Sequence, residues 1–275
     1  MNLLPKGTHE YEKFIKPSEL IQMMENNGLT IKELTGMSYN PLTKNYWLGK
    51  NVDVNYLIHA KKYKCFLFDL DGTLLDTAPE FLTCLNELLK KNNKESVSYG
   101  FVRNRVSDGV GRLIQDSFII DENHSKFEEL RNDLLTEYHK SYLLSKTFPG
   151  VDEFLYKLSK NKIDWMIVTN KPKKFFEDIC QKFEWHKNAI AMVSPEDVNG
   201  KRKPDPASLN AALVKTSVKK EQSIYIGDNW RDIEAANNSG IDSALALYGY
   251  IDEKDASLLK PTSTINQIED LINYI

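Results

Sequence analysis

Apolar and polar positions fall into two regimes along the chain, and the change comes near Lys61-Lys62. Before it, Ser18-Glu19-Leu20 predicts the start of an amphipathic helix, with Ser18 as N-cap after Pro17 and Gly28 as its stop. Residues 29–34 and 52–60 read as strands around a turn-rich loop at Asn40-Pro41. One helix and two strands bury little core by themselves. From Tyr63 onward, short apolar runs alternate with helical periodicity. Residues 65–68, 165–168, 189–193, 224–226 and 244–247 predict strands. Residues 151–161 and a segment opening near Pro172 predict helices, the first following the break at Phe148-Pro149-Gly150. Such alternation predicts an α/β fold with a parallel sheet and right-handed crossovers. Residues 78–147 are mainly helical, with charged faces and periodic leucines. The block is too long for a simple crossover, so it reads as an inserted helical subdomain.

Composition narrows the classes of function. The 275 residues are 41% apolar, enough for a proper core, and carry a net charge of −3 from 36 basic and 39 acidic residues. Charges of both signs are mixed along the chain, which argues against nucleic acid or an anionic membrane as partner. Cys65, Cys84 and Cys180 are scattered and odd in number, so they predict no disulfide framework and no metal-type spacing. No stretch approaches the ~18 uninterrupted apolar residues of a membrane span, and the N-terminus lacks a signal-peptide run. A soluble cytoplasmic protein with no membrane span is the expectation.

Candidate chemistry gathers at the ends of the predicted strands. Residues 65–68 run straight into Asp69-Leu70-Asp71-Gly72-Thr73. Side chains at i and i+2 share a side of a strand, so Asp69 and Asp71 stand together where ligands of open α/β sheets bind. Thr169, Lys203 and Asp228 also follow strand-like runs. Each has a role if the substrate is a phosphate ester. Asp69 can attack phosphorus, and Asp71 can protonate the departing alkoxide and later deprotonate water. Asp228, Asp69 and the backbone carbonyl of Asp71 offer hard oxygen ligands for Mg²⁺. Thr169 and backbone amides can hold phosphoryl oxygens, while Lys203 supplies fixed charge. Taken singly, each residue has an ordinary reading: Asp-x-Asp as a turn or a transferase metal site, Lys203 as solvated surface, Asp228 as a turn or N-cap. Glu80, twelfth from Asp69, faintly echoes a calcium loop, but Gly72 is misplaced for one and position seven is Leu75.

Taken together, the motifs resemble the haloacid dehalogenase superfamily of phosphatases. They are Phe68-Asp69-Leu70-Asp71-Gly72-Thr73, Val168-Thr169-Asn170-Lys171-Pro172, Arg202-Lys203-Pro204-Asp205-Pro206 and Ile226-Gly227-Asp228-Asn229-Trp230-Arg231-Asp232. The resemblance covers about residues 63–275. It implies a Rossmann-like core with a helical cap, Asp69 as nucleophile, Asp71 as acid/base and a required Mg²⁺. It also implies that Asp232 supports or joins the metal shell of Asp69, Asp71 and Asp228, and that Thr169, Asn170 and Lys203 face the substrate. An acid at position 71 argues against the dehalogenase branch.

Within that superfamily the chain resembles phosphoglycolate phosphatases, and more closely N-acetylmuramic acid 6-phosphate phosphatases of cell-wall recycling. The pointers are Ile163-Asp164-Trp165-Met166-Ile167-Val168-Thr169-Asn170-Lys171-Pro172, Ala246-Leu247-Tyr248-Gly249-Tyr250-Ile251 and Arg103 ahead of Val106-Ser107-Asp108-Gly109. Asn104 departs from the proline expected there. Both substrates are small phosphorylated metabolites with a carboxylate, which Arg103 can grip bidentately. Two rivals stand beside hydrolysis: a phosphomutase with the same motifs, and a non-catalytic scaffold. Residues 1–62 resemble the C-terminal end of ubiquinone-biosynthesis O-methyltransferases. The carriers are Leu4-Pro5-Lys6-Gly7-Thr8-His9, Lys13-Phe14-Ile15-Lys16-Pro17-Ser18-Glu19-Leu20, Gly36-Met37-Ser38-Tyr39-Asn40-Pro41-Leu42 and Val52-Asp53-Val54-Asn55-Tyr56-Leu57. The glycine-rich loop for S-adenosylmethionine is missing. The segment therefore reads as a fusion remnant, or as a piece completing a separately encoded methyltransferase partner.

Overall fold

Lys16, rather than Ser18, caps the first helix, α1 (Pro17–Glu25), and no side chain bonds its free amides. The structure is a computed structural model that describes residues 14–40, 42–53, 55–251 and 253–275. Residues 4–9, Lys13, Pro41 and Val54, used above for the methyltransferase likeness and the loop, lie outside the described residues. The chain divides into two units: one runs to Tyr63 and includes Ile272–Ile275, and the other is Lys64–Leu271. In the first unit, β1 (Thr30–Asn40) pairs antiparallel with β2 (Asn45–Gly49) and β3 (Tyr56–Lys61), in the order β2-β1-β3. The expected strand at 29–34 thus runs on to Asn40. Residues 45–49, read as loop, form a strand exposed at every position, so they carry no inward-outward alternation to detect. Asn40 Oδ1 accepts from the Leu42 and Thr43 amides at the turn between them. Tyr274 from the chain end lies 5.6 Å from the Tyr63 ring.

In the second unit, β4 (Cys65–Phe68) is wholly buried, as expected of a central parallel strand covered on both faces. A two-residue strand, β5 (Leu75–Asp76), pairs antiparallel with β6 (Lys146–Thr147). This ribbon brackets the helical insertion of α2 (Ala78–Lys91), α3 (Tyr99–Arg103), α4 (Val110–Phe118) and α5 (Phe127–Tyr138). After α6 (Val151–Lys160) come β7 (Asp164–Val168), α7 (Lys173–Lys182), β8 (Ala191–Val193) and α8 (Ala207–Leu213). The chain continues through β9 (Ser223–Gly227), α9 (Trp230–Ser239), β10 (Asp242–Ala246) and β11 (Ser263–Ile265). Six strands form one sheet in the order β11-β10-β9-β4-β7-β8, every pairing parallel. β11 escaped the sequence pattern because only three residues pair and Thr264 between its ends is exposed. Under one face, Leu67, Met166, Val168, Leu209, Tyr225 and Ala236 belong to one buried cluster. No helix among the described residues is long and apolar enough to cross a membrane.

Register places the chemistry. Phe68 is level with Ile167 of β7 and Ile226 of β9. The residues that follow, Asp69, Thr169 and Asp228, therefore emerge at one edge of the sheet, from three neighbouring strands. Backbone bonds continue past the strand ends: Asp69 N donates to Ile226 O at 2.8 Å and Thr169 N to Val193 O at 3.0 Å.

Candidate active site

Asp69, Asp228 and Asp232 bring carboxylate oxygens within 4.8 Å of one another. Asp69 ends β4. Asp228 follows β9, and Asp232 sits in the first turn of α9, where its carboxylate accepts from the Asn229 amide at 3.0 Å in a reciprocal capping box. Lys203 reaches between them with its ammonium 2.7 Å from both Asp69 and Asp232. It also donates to the Tyr225 hydroxyl at 2.7 Å. Asp228 accepts from Tyr250 N at 2.9 Å and from the hydroxyls of Thr73 and Ser107 at 3.2 Å.

Electrostatics set this cluster apart from a structural ion pair. Burial pushes the Asp69 carboxyl up to about 7 against the pull of Lys203. Burial, then the Asp232 and Asp69 charges, hold Asp228 well above the usual carboxylate range. For Lys203, burial favours the neutral form, but Asp232 and Asp69 outweigh it and raise its pKa. Three clustered carboxyls face one ammonium in a buried place, so ionising all three calls for further positive charge. A hard divalent cation suits such an all-oxygen donor set.

Two glycines let the backbone close around Asp228. Gly72 has φ of +85°, and a Cβ there would stand 2.2 Å from Asp228 Oδ2. A Cβ on Gly249 would lie 2.3 Å from both Asp228 Cβ and the Gly72 carbonyl oxygen. Gly249→Ala is therefore expected to cost about 1–3 kcal/mol by overpacking, read as a lower denaturant midpoint. An unchanged midpoint would show that the cradle gives way freely.

Asp71 turns elsewhere. Its carboxylate takes the Lys171 ammonium at 2.9 Å, and Lys171 also donates to the Tyr138 hydroxyl at 2.9 Å. The Tyr138 ring in turn stacks on Phe81 at 3.9 Å. The acid next to Asp69 is thus held by one residue of β7's loop and, through it, by the end of α5. The side chain of Asp71 lies outside the three-acid cluster, so only its backbone carbonyl stays a candidate metal ligand.

Asp69, Asp71, Thr169, Asn170, Lys203 and Asp232 line one cavity of about 520 Å³. Thr169 is buried, and its hydroxyl accepts from Lys171 N at 3.0 Å. Asn170, expected to face substrate, spends its amide on the Lys203 backbone: Oδ1 accepts at 2.8 Å and Nδ2 donates at 3.1 Å. Those bonds make it a clamp that places Lys203. Arg103, expected to grip a carboxylate, does not line the cavity. Standing at the last position of α3, it donates instead to the Gly249 carbonyl, on the loop that shields Asp228. Lys171 was legible only as a neighbour of Thr169. Ser107 was legible only as part of Val106-Ser107-Asp108-Gly109, and Tyr138 and Tyr225 carried no signal at all.

A parallel sheet with three clustered acids beyond its strand ends, and a helical insertion after the first of them, is an arrangement suited to a hydrolase. The sequence profile of the haloacid dehalogenase-like hydrolases matches residues 66–246, and the chain belongs to that family. An N-acetylmuramic acid 6-phosphate phosphatase of Pseudomonas putida is 33% identical over 195 residues, 70% of this chain and 87% of that protein. A phosphoglycolate phosphatase of Xylella fastidiosa is 31% identical over 208 residues, covering 75% and 90% respectively. A haloacid dehalogenase-like hydrolase of Streptococcus pneumoniae shares the fold with a TM-score of 0.67 at 20% identity, over 77% of this chain and 98% of that one. The protein is a phosphatase.

Proposed function

We propose that the chain hydrolyses phosphomonoesters through a phosphorylated Asp69, with N-acetylmuramic acid 6-phosphate as substrate. The observation that carries this reading is the meeting of Asp69, Asp228 and Asp232 around the Lys203 ammonium, with Asp71 on the same cavity. A carboxylate oxygen of Asp69 attacks phosphorus as the ester P–O bond breaks. Asp71 gives its proton to the departing alkoxide. In the second half, Asp71 takes a proton from water as that water attacks the same phosphorus, and Asp69 leaves as a free carboxylate. Lys203 and Thr169 stabilise the oxygens where charge develops. Asp69, Asp228 and Asp232 would hold Mg²⁺, which offsets repulsion between the anionic nucleophile and the anionic phosphate.

Phosphate release measured over a panel of small esters, with Mg²⁺ and with a chelator, tests the proposal. Turnover that survives complete chelation would overturn the metal assignment. Mg²⁺ must also displace any proton on Asp69, whose carboxyl stands at about 7 without it. Affinity should therefore fall below neutrality, by about tenfold per pH unit for each proton displaced. Calorimetric titration with Mg²⁺ at about pH 6 and about pH 8 checks this, and equal affinities would count against Asp69 as a ligand. The second candidate substrate is 2-phosphoglycolate, supported by relatives of that name. The family match begins at residue 66 and does not touch the methyltransferase likeness of residues 1–62, so no methyltransferase partner enters the proposal.

A further inference from the structure

One face of α5 lines the cavity along its whole length. Phe127, Arg131, Leu135 and Tyr138 all line it, at spacings of four, four and three, so they form a single stripe. At 1.5 Å per residue the stripe is about 16 Å long. Tyr138 marks the catalytic end, through the Lys171 ammonium shared with Asp71. Arg131 stands two turns away, about 10 Å along the axis from Tyr138. One of its guanidinium nitrogens donates to Glu128 at 3.2 Å, and no hydrogen bond among the described residues takes the others.

We propose that this stripe is the subsite for the leaving group, with Phe127 and Leu135 as an apolar wall and Arg131 as the partner of a remote carboxylate. The inference rests on the hydrolase reading above and names its substrate class: a hexose-sized phosphomonoester whose carboxylate lies far from the phosphate. Length favours the larger candidate. Counting bonds of about 1.5 Å, phosphorus and carboxyl carbon are about 4 Å apart in 2-phosphoglycolate. In a hexose 6-phosphate with a carboxylated arm across the ring, the path is about eight bonds against three, so the two groups stand much further apart. The longer molecule, with its phosphate at Asp69, carries its carboxylate further along the stripe toward the planar fork of Arg131. A two-carbon acid has no apolar ring to set against Phe127 and Leu135. Arg131 thus takes over the carboxylate-binding role that the sequence suggested for Arg103.

Steady-state kinetics of the full chain and its Arg131→Met and Arg131→Lys variants test this on three esters. They are N-acetylmuramic acid 6-phosphate, the same amino-sugar 6-phosphate without the carboxylated arm, and 2-phosphoglycolate. Arg131→Met should lose about ten- to hundredfold in kcat/KM on the first ester relative to its loss on the other two, chiefly through KM. Arg131→Lys should recover part of that selective loss. Equal losses on all three esters in both variants would overturn the proposal, as would a wild type that prefers 2-phosphoglycolate. A wild type that releases phosphate from none of them, nor from p-nitrophenyl phosphate, would overturn the hydrolase reading together with it.

Discussion

Asp69→Asn should abolish phosphate release, lowering kcat by about 10⁴-fold or more, because the variant cannot form the covalent intermediate. The change keeps shape and removes only the nucleophilic charge. Lys203 retains its 2.7 Å contact with Asp232, so the ammonium is not left unpaired. Stability should move the other way. Burial holds the Asp69 carboxyl up near 7, which means that the folded protein pays a desolvation cost to keep it ionised at neutral pH. Asn has no such cost. A variant that melts at or above the wild-type temperature yet releases no phosphate would separate chemistry from folding. Wild-type turnover by Asp69→Asn would remove Asp69 from the role of nucleophile.

Lys203→Met should harm both properties. Lys203 is almost completely buried and is the one cation within ion-pair distance of Asp69 and Asp232 among the described residues. Removing one partner of a buried ion cluster costs about 3–5 kcal/mol, because the remaining charges are left uncompensated. Turnover should fall by a further 10²–10³-fold or so, the loss typical of one preorganised group at a developing charge. The sign of the pH dependence follows from Asp69. Its folded pKa is raised, and without the ammonium it rises further. The folded state then binds more protons than the unfolded one above about pH 4, so stability falls as pH climbs toward and past 7. The deficit of Lys203→Met relative to wild type should therefore be smaller near pH 5 than near pH 8. Urea unfolding at both values measures it, and a pH-independent deficit would contradict the carboxylate repulsion argued here.

Much of the site is legible one motif at a time, for local reasons. Asp69 and Asp71 share a side because side chains alternate along a strand. The uninterrupted apolar run of β4 marks a strand buried on both faces, and that argument needs no partner. Arg103 shows the opposite case. Its residue type and its place in the cap suggested carboxylate binding, yet its partner is a backbone carbonyl 146 residues away. Nothing in the local pattern around position 103 specifies that meeting. In the first unit, β2 was missed for a related reason: a strand exposed at all five positions has no periodic burial to betray it.

By itself the sequence determined the alternation of strands and helices, the parallel sheet and the four strand-end motifs, because periodicity and turn residues act over a few neighbours. Tertiary structure alone decided how these motifs meet: the level register of β4, β7 and β9, the approach of Gly72 and Gly249 to Asp228, and the bond from Lys171 to Asp71 across 100 residues. It also laid one face of α5 along the cavity and brought Arg131 there. Such contacts depend on strand register and on the packing of distant elements, which no short window of sequence contains.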